Sequence, residues 1–121
     1  DWKAAEDAFK SFLNYEPNNP WARTDLSWIY FAQGKYADMY VLLNQEVENH
    51  PDHPWILNMY GLALRNIGRK EEAREYFARA AKLAEDMTEE DWGKAYPGNN
   101  PKYWKDGLEE FSDAIEHNES L

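Results

Sequence analysis

No cysteine occurs in the 121 residues. That excludes disulfides, thiolate metal sites and cysteine nucleophiles. No apolar run approaches the ~18 residues needed to span a membrane, so membrane insertion is not expected. Basic residues are scarce: 13 Lys and Arg stand against 23 Asp and Glu, a formal charge of −10. Such a balance speaks against non-specific binding to nucleic acid or to an anionic membrane, both of which need an excess of Lys and Arg. Large aliphatic residues are few as well. Leu, Ile, Val and Phe together number 21, a share that, with this charge, is usual in disordered chains. The 14 Ala, 8 Tyr and 6 Trp offset that shortage. Small residues beside large aromatics suit close packing of helix on helix, where Trp and Tyr bury large areas.

Chemistry-bearing motifs are also missing. There is no glycine-rich phosphate loop and no nucleophile elbow. His50 and His53 flank Pro51 beside Glu48 and Asp52, which reads as a solvated turn rather than a metal site. The acidic pairs Glu71/Glu72 and Glu89/Glu90 fall in first helical turns, where they complement the helix dipole and have no cause for the raised pKa of a general acid. The reading is therefore of a protein that is not an enzyme and needs no cofactor or metal. No leader-like segment opens the chain, which starts at Asp1 without a Met. An upstream segment is left open, and the cytoplasm is the expected compartment.

What is present is a repeat. Gly34 and Gly68, Pro17 and Pro51, and Tyr30 and Leu64 are each 34 residues apart. Each glycine stands between two helical patterns, where it can take the left-handed conformation that ends a helix. Each proline follows one helix and precedes the next. Between these landmarks the apolar spacing is helical. Leu57, Tyr60, Gly61 and Leu64 form one face; Ala73, Tyr76, Phe77 and Ala80 form another.

Residues 54–87 resemble a tetratricopeptide repeat. A large apolar residue, a small one, an aromatic or Leu, Gly, Ala, an aromatic and Ala follow in order as Tyr60, Gly61, Leu64, Gly68, Ala73, Phe77 and Ala80. Residues 20–53 give a looser copy through Leu26, Ser27, Tyr30, Gly34, Met39, Leu43, Glu46 and Pro51. Met39 and Glu46 replace the family's small residues, which implies a splayed helix pair. Residues 2–19 resemble only the second half of a repeat, with Ala5, Phe9, Phe12 and Pro17. The fold implied is all-α, a right-handed superhelix of antiparallel helix pairs over residues 1–87 followed by capping helices over 88–121. Helices are expected near 2–14, 20–33, 36–49, 54–67, 70–85, 89–96 and 101–117.

The C-terminal part stands outside the repeat pattern. Thr88 begins a short helix with acids in its first turn. Residues 97–100 read as a turn, and Asn100-Pro101 opens a longer helix. That helix carries Trp104, Leu108, Phe111 and Ile115 in one stripe. Residues 85–121 hold 11 acids and 3 bases, against 12 and 10 in residues 1–84. The segment is thus chemically distinct. A capping helix packed on the last repeat is the expected reading; the alternative is a helix that folds over the concave groove or grips a second subunit.

The resemblance also implies a function. First helices of such repeats line a concave groove that holds a peptide or helix of a protein partner. By position the groove residues are Trp21, Thr24, Asp25, Trp28 and Phe31 from one helix, and Trp55, Asn58, Met59, Leu62, Arg65 and Asn66 from the next. Trp21, Thr24, Trp28 and Phe31 share one helical side. Only Arg65 is cationic, so an apolar or mixed ligand suits this face better than the acidic chaperone C-termini gripped by basic members of the family. The alternatives are a self-assembling scaffold or an accessory domain of a larger enzyme. In the scaffold, the 101–117 helix or the open face of the first helix would pair chains as a homodimer.

Overall fold

The structure is a computed structural model that describes residues 1–17, 20–95 and 100–121, without the side chains of residues 20, 21 and 95. Seven α-helices and no strands are present among the described residues: α1 Trp2–Tyr15, α2 Pro20–Ala32, α3 Tyr36–Asn49, α4 Pro54–Asn66, α5 Lys70–Glu85, α6 Glu89–Ala95 and α7 Trp104–Ser120. The fold class is the expected all-α repeat. The expected end of the short helix at Tyr96 and the turn at 97–99 lie outside the described residues.

The two turn glycines end their helices as the repeat requires. Gly34 has φ +74° and Gly68 φ +89°. Beyond each, the next backbone N–H reaches back into the last helical turn: Lys35 N to Tyr30 O at 2.8 Å and Arg69 N to Leu64 O at 2.9 Å. This six-to-one bond satisfies carbonyls that a helix end otherwise leaves bare. A side chain at position 68 would meet nothing within 4 Å, so only the backbone opposes substitution. Gly68→Ala is therefore expected to cost about 1–2 kcal/mol, read as a lowered urea midpoint at constant slope. A neutral Gly68→Ala would show that the left-handed turn does not matter to stability.

α4 and α5 pack most extensively, and Phe77 explains how. A Cβ at Gly61 would lie 2.6 Å from the Phe77 ring, so the absence of a side chain there lets the helices close. α2 and α3 meet less extensively, as Met39 and Glu46 imply. Both are nevertheless buried. Glu46 is neutralised by Arg23 across the pair, which is how a carboxylate fits a position that holds Ala80 one repeat later. Glu6 on α1 is also buried, held by Lys10 at 2.8 Å and Lys35 at 3.0 Å. Hydrogen bonds from these two ammonium groups pull its carboxyl down to about 2.

The C-terminal helices differ in detail from expectation. Thr88 and Asp91 form a reciprocal cap, Asp91 N donating to Thr88 Oγ1 at 3.0 Å and Thr88 N donating to Asp91 Oδ2 at 3.1 Å. Asn100 caps a short 3-10 turn, Pro101–Tyr103, and the α-helix proper starts at Trp104. α6 and α7 lock by exchange: the Trp104 ring lies over Gly93 and the Trp92 ring over Gly107. α7 packs mainly along α5 and more lightly on α4, much as α4 packs along α3 and lightly on α2. It thus stands where the first helix of a following repeat would stand. Phe111 and Ile115 complete a second core cluster with Leu57, Ala80 and Ala84.

Candidate interaction groove

The first helices α2 and α4 lie side by side, and their aromatic residues join into a strip. The Trp28 ring centroid is 5.5 Å from Phe31 in an edge-on arrangement and 6.3 Å from Trp55. Trp55 in turn lies 5.3 Å from Phe111. Phe31 also meets Tyr36 at 5.8 Å. The strip therefore runs across α2, α4 and α7. Pairs at these separations are attractive through their ring quadrupoles, which helps to hold the side chains in place. Trp28 remains 38% exposed, while Phe31 and Trp55 are half-buried.

The other sequence-derived groove residues divide. Asp25 and Asn66 are exposed. Partial burial pushes the Asp25 carboxyl up, and the Asn66 amide donates to Leu62 O at 2.7 Å. Arg65 is half-buried, with its guanidinium 5.4 Å over the Phe77 ring. One of its terminal nitrogens is buried without a hydrogen-bond partner among the described residues. Thr24, Asn58, Met59 and Leu62 are buried in the free chain. Met59 and Leu62 belong to the main core with Leu26, Tyr30 and Leu43. Asn58 faces α7, and its side-chain oxygen accepts from the Asn118 amide at 2.9 Å. The side chain of Trp21 lies outside the described residues.

Two members of this surface were not among the sequence-derived groove residues. Phe111 and Asn118 come from α7, which carries no repeat register to place it against α4. Their signal was the single apolar stripe of α7, which says that the helix packs but not upon what. Elsewhere, His53 caps α4, its Nδ1 accepting from Ile56 N at 3.3 Å. Burial and the neighbouring His50 push its pKa below the ordinary 6.5. Among the described residues no three His, Asp or Glu side chains converge as a metal site would need. None of the described helices is long and apolar enough to cross a membrane.

Comparison with known proteins bears on the helical repeat. The tetratricopeptide repeat family profile matches residues 54–87, which is the α4–α5 pair with its following loop. The chain is also similar to a cellulose synthase operon protein C from Pseudomonas fluorescens (strain SBW25), with 28% identity over 91 residues. That alignment takes in 74% of this chain and only 7% of the relative's length. No solved structure matches at the same stringency. Repeats of this kind generally mediate protein–protein interactions and are typically non-catalytic. Residues 54–87, the α4–α5 pair, thus match a tetratricopeptide repeat, and the α2–α3 pair repeats its landmarks more loosely 34 residues earlier.

Proposed function

We propose that the chain is a protein-interaction module whose α2–α4 aromatic strip receives a helix or extended segment of a partner. In this reading residues 1–87 form the binding array and residues 88–121 close its C-terminal end. The observation that carries it is the state of Trp28: a large aromatic, 38% exposed, held between Phe31 and Trp55. Ordered, partly exposed Trp residues are the commonest energetic anchors of interfaces. In this reading Asp25, Arg65 and Asn66, which share the first helices with the strip, add both charges and an amide, a mix that suits a ligand apolar at its centre. Thr24, Asn58, Met59 and Leu62 are buried in the free chain and in this reading make no direct contact with the ligand.

The test is selection of peptides from a random display library against the folded chain, followed by titration of one selected peptide. Trp28→Ala is expected to weaken its Kd by roughly 30-fold, the loss of about 2 kcal/mol that defines an anchor residue. Circular dichroism should show helix retained. Val41→Ala, at an exposed position on α3, serves as the control and should leave Kd unchanged. Equal affinities for wild type and Trp28→Ala would remove the strip from the binding site.

A further inference from the structure

The start of α4 is capped by a side chain that a proton can disable. A helix start leaves several backbone donors bare. Here Pro54 removes one of them, and Leu57 N reaches His53 O at 3.0 Å. Ile56 N donates to His53 Nδ1 at 3.3 Å. Ile56 is 0% exposed, so bulk water does not stand in for the imidazole. Only a neutral ring offers a lone pair at Nδ1; in the imidazolium both nitrogens carry hydrogen. Protonation therefore turns this bond into two N–H groups facing each other. The residues usual at such a cap, Asn and Ser among them, keep an acceptor oxygen in mild acid.

The ring also has somewhere to go. A cavity of about 320 Å³ lies against it, with His50 and Asp52 on its wall beside Met87 and Phe111. Asp52 is exposed and offers a carboxylate to an imidazolium turned outwards. His50 opposes charge on His53. Behind His50 stands Glu46, 4.0 Å from its Nε2 and already paired with Arg23. α5 brings Arg79 to the same loop, where it donates to Pro51 O at 3.3 Å. Among the described residues on the cavity wall, α7 contributes Phe111 and no charge.

Phe111 connects this cavity to the aromatic strip. Its ring lies 5.3 Å from Trp55. Trp55 is the second residue of α4, and its ring lies 6.3 Å from Trp28. We propose that His53 is a proton-operated cap: in mild acid its ring leaves Ile56, turns into the cavity toward Asp52 and frees the first turn of α4, so that the strip releases its bound segment. The release rests on the reading of the strip as a binding surface; the loss of the cap does not. The direction of the pH dependence follows from linkage. Burial and the neighbouring His50 hold the His53 pKa below the ordinary 6.5. The unfolded chain therefore takes up the proton first. The stabilisation from the cap is whole above about pH 6.5 and is lost as the pH falls below it.

The experiment compares wild type, His50→Gln, His53→Asn and His53→Ser at about pH 7.5 and about pH 5.5, on either side of the ordinary histidine pKa. Asn and Ser keep a capping oxygen that does not titrate. In the free chain, the exchange protection of the Ile56 amide, read by NMR, should fall by about threefold or more in wild type and in His50→Gln. It should stay level in the two His53 variants. A peptide selected on the wild-type chain, lacking Asp, Glu and His, is then titrated. Its Kd should weaken by roughly threefold to tenfold in acid for the same two chains, one proton being limited to about tenfold per pH unit. Ile56 protection that falls equally in the His53 variants, or does not fall in wild type, would overturn the proposal. So would a Kd that holds level while Ile56 protection falls. Failure of the strip reading shows separately, as a Trp28→Ala chain that binds as tightly as wild type, and leaves the Ile56 readout standing.

Discussion

Arg23→Met is expected to destabilise the chain by about 3–5 kcal/mol, the usual result of removing one partner from a buried ion pair. The Glu46 side chain is 1% exposed and the Arg23 side chain 19% exposed, so the carboxylate depends on its partner for most of what water would supply. Among the described residues His50 is the other basic group near it, with Nε2 4.0 Å from the second carboxylate oxygen. At that distance it makes no hydrogen bond and replaces little of the guanidinium contact. The sharper result is the double variant. Arg23→Met with Glu46→Leu removes both charges and should recover most of the loss, since apolar residues often replace a buried pair at no cost. Chemical denaturation of the four chains gives the coupling directly. A single variant that costs under about 1 kcal/mol, or a double variant as unstable as the single, would show that Glu46 is not stranded.

This pair also marks where the sequence stops being legible. Glu46 reads there as a misfit, a charge at a position that wants a small residue. Nothing in helical spacing says that Arg23, on the preceding helix, will meet it. Spacing tells which residues share a face, and turn glycines tell where a face ends. That is why Gly34, Gly68 and the Ala73–Phe77–Ala80 line were readable, and why helix limits fell within about three residues, the end of the short helix and the turn at 97–99 lying outside the described residues. Which element covers a face is a tertiary question. Periodicity answers it only where a repeat copies the answer from one unit to the next.

The groove shows the same division. Trp28, Phe31 and Trp55 were placed on neighbouring helices by register, and the structure brings their rings together. Asn58 was assigned to the same open line. It is buried because α7, which has no register, lies against it through Asn118. Met59 and Leu62 belong to the main core, with residues of α2, α3 and α5. The first helix of a repeat that has neighbours on both sides keeps only a narrow line of solvent-facing positions, and α4 is in that situation once α7 is in place. The Trp92–Gly107 and Trp104–Gly93 exchanges had no sequence signal at all, because a glycine inside a helix reads as a weakness until the ring above it is known.

Ile115→Ala tests whether α7 is an integral layer of the array. Ile115 is fully buried among Leu57, Ala80, Ala84 and Phe111. Truncation there should cost about 2–5 kcal/mol, which lowers the thermal midpoint by about 8–20 °C in a chain of this length. The cost should be shared by α4 and α5, because the cavity opens onto both. Amide exchange should accordingly quicken along α4 as well as along α7. An α7 that merely rests on the surface predicts something else: a loss under about 0.5 kcal/mol, the usual range for surface changes, and faster exchange confined to residues 104–120. The aromatic strip ties this outcome to binding. Phe111 supports Trp55 at 5.3 Å, and Trp55 supports Trp28, so loosening α7 should soften the anchor two helices away. A peptide selected on the wild-type chain should then bind Ile115→Ala more weakly, although Ile115 lies beneath the surface that the peptide touches.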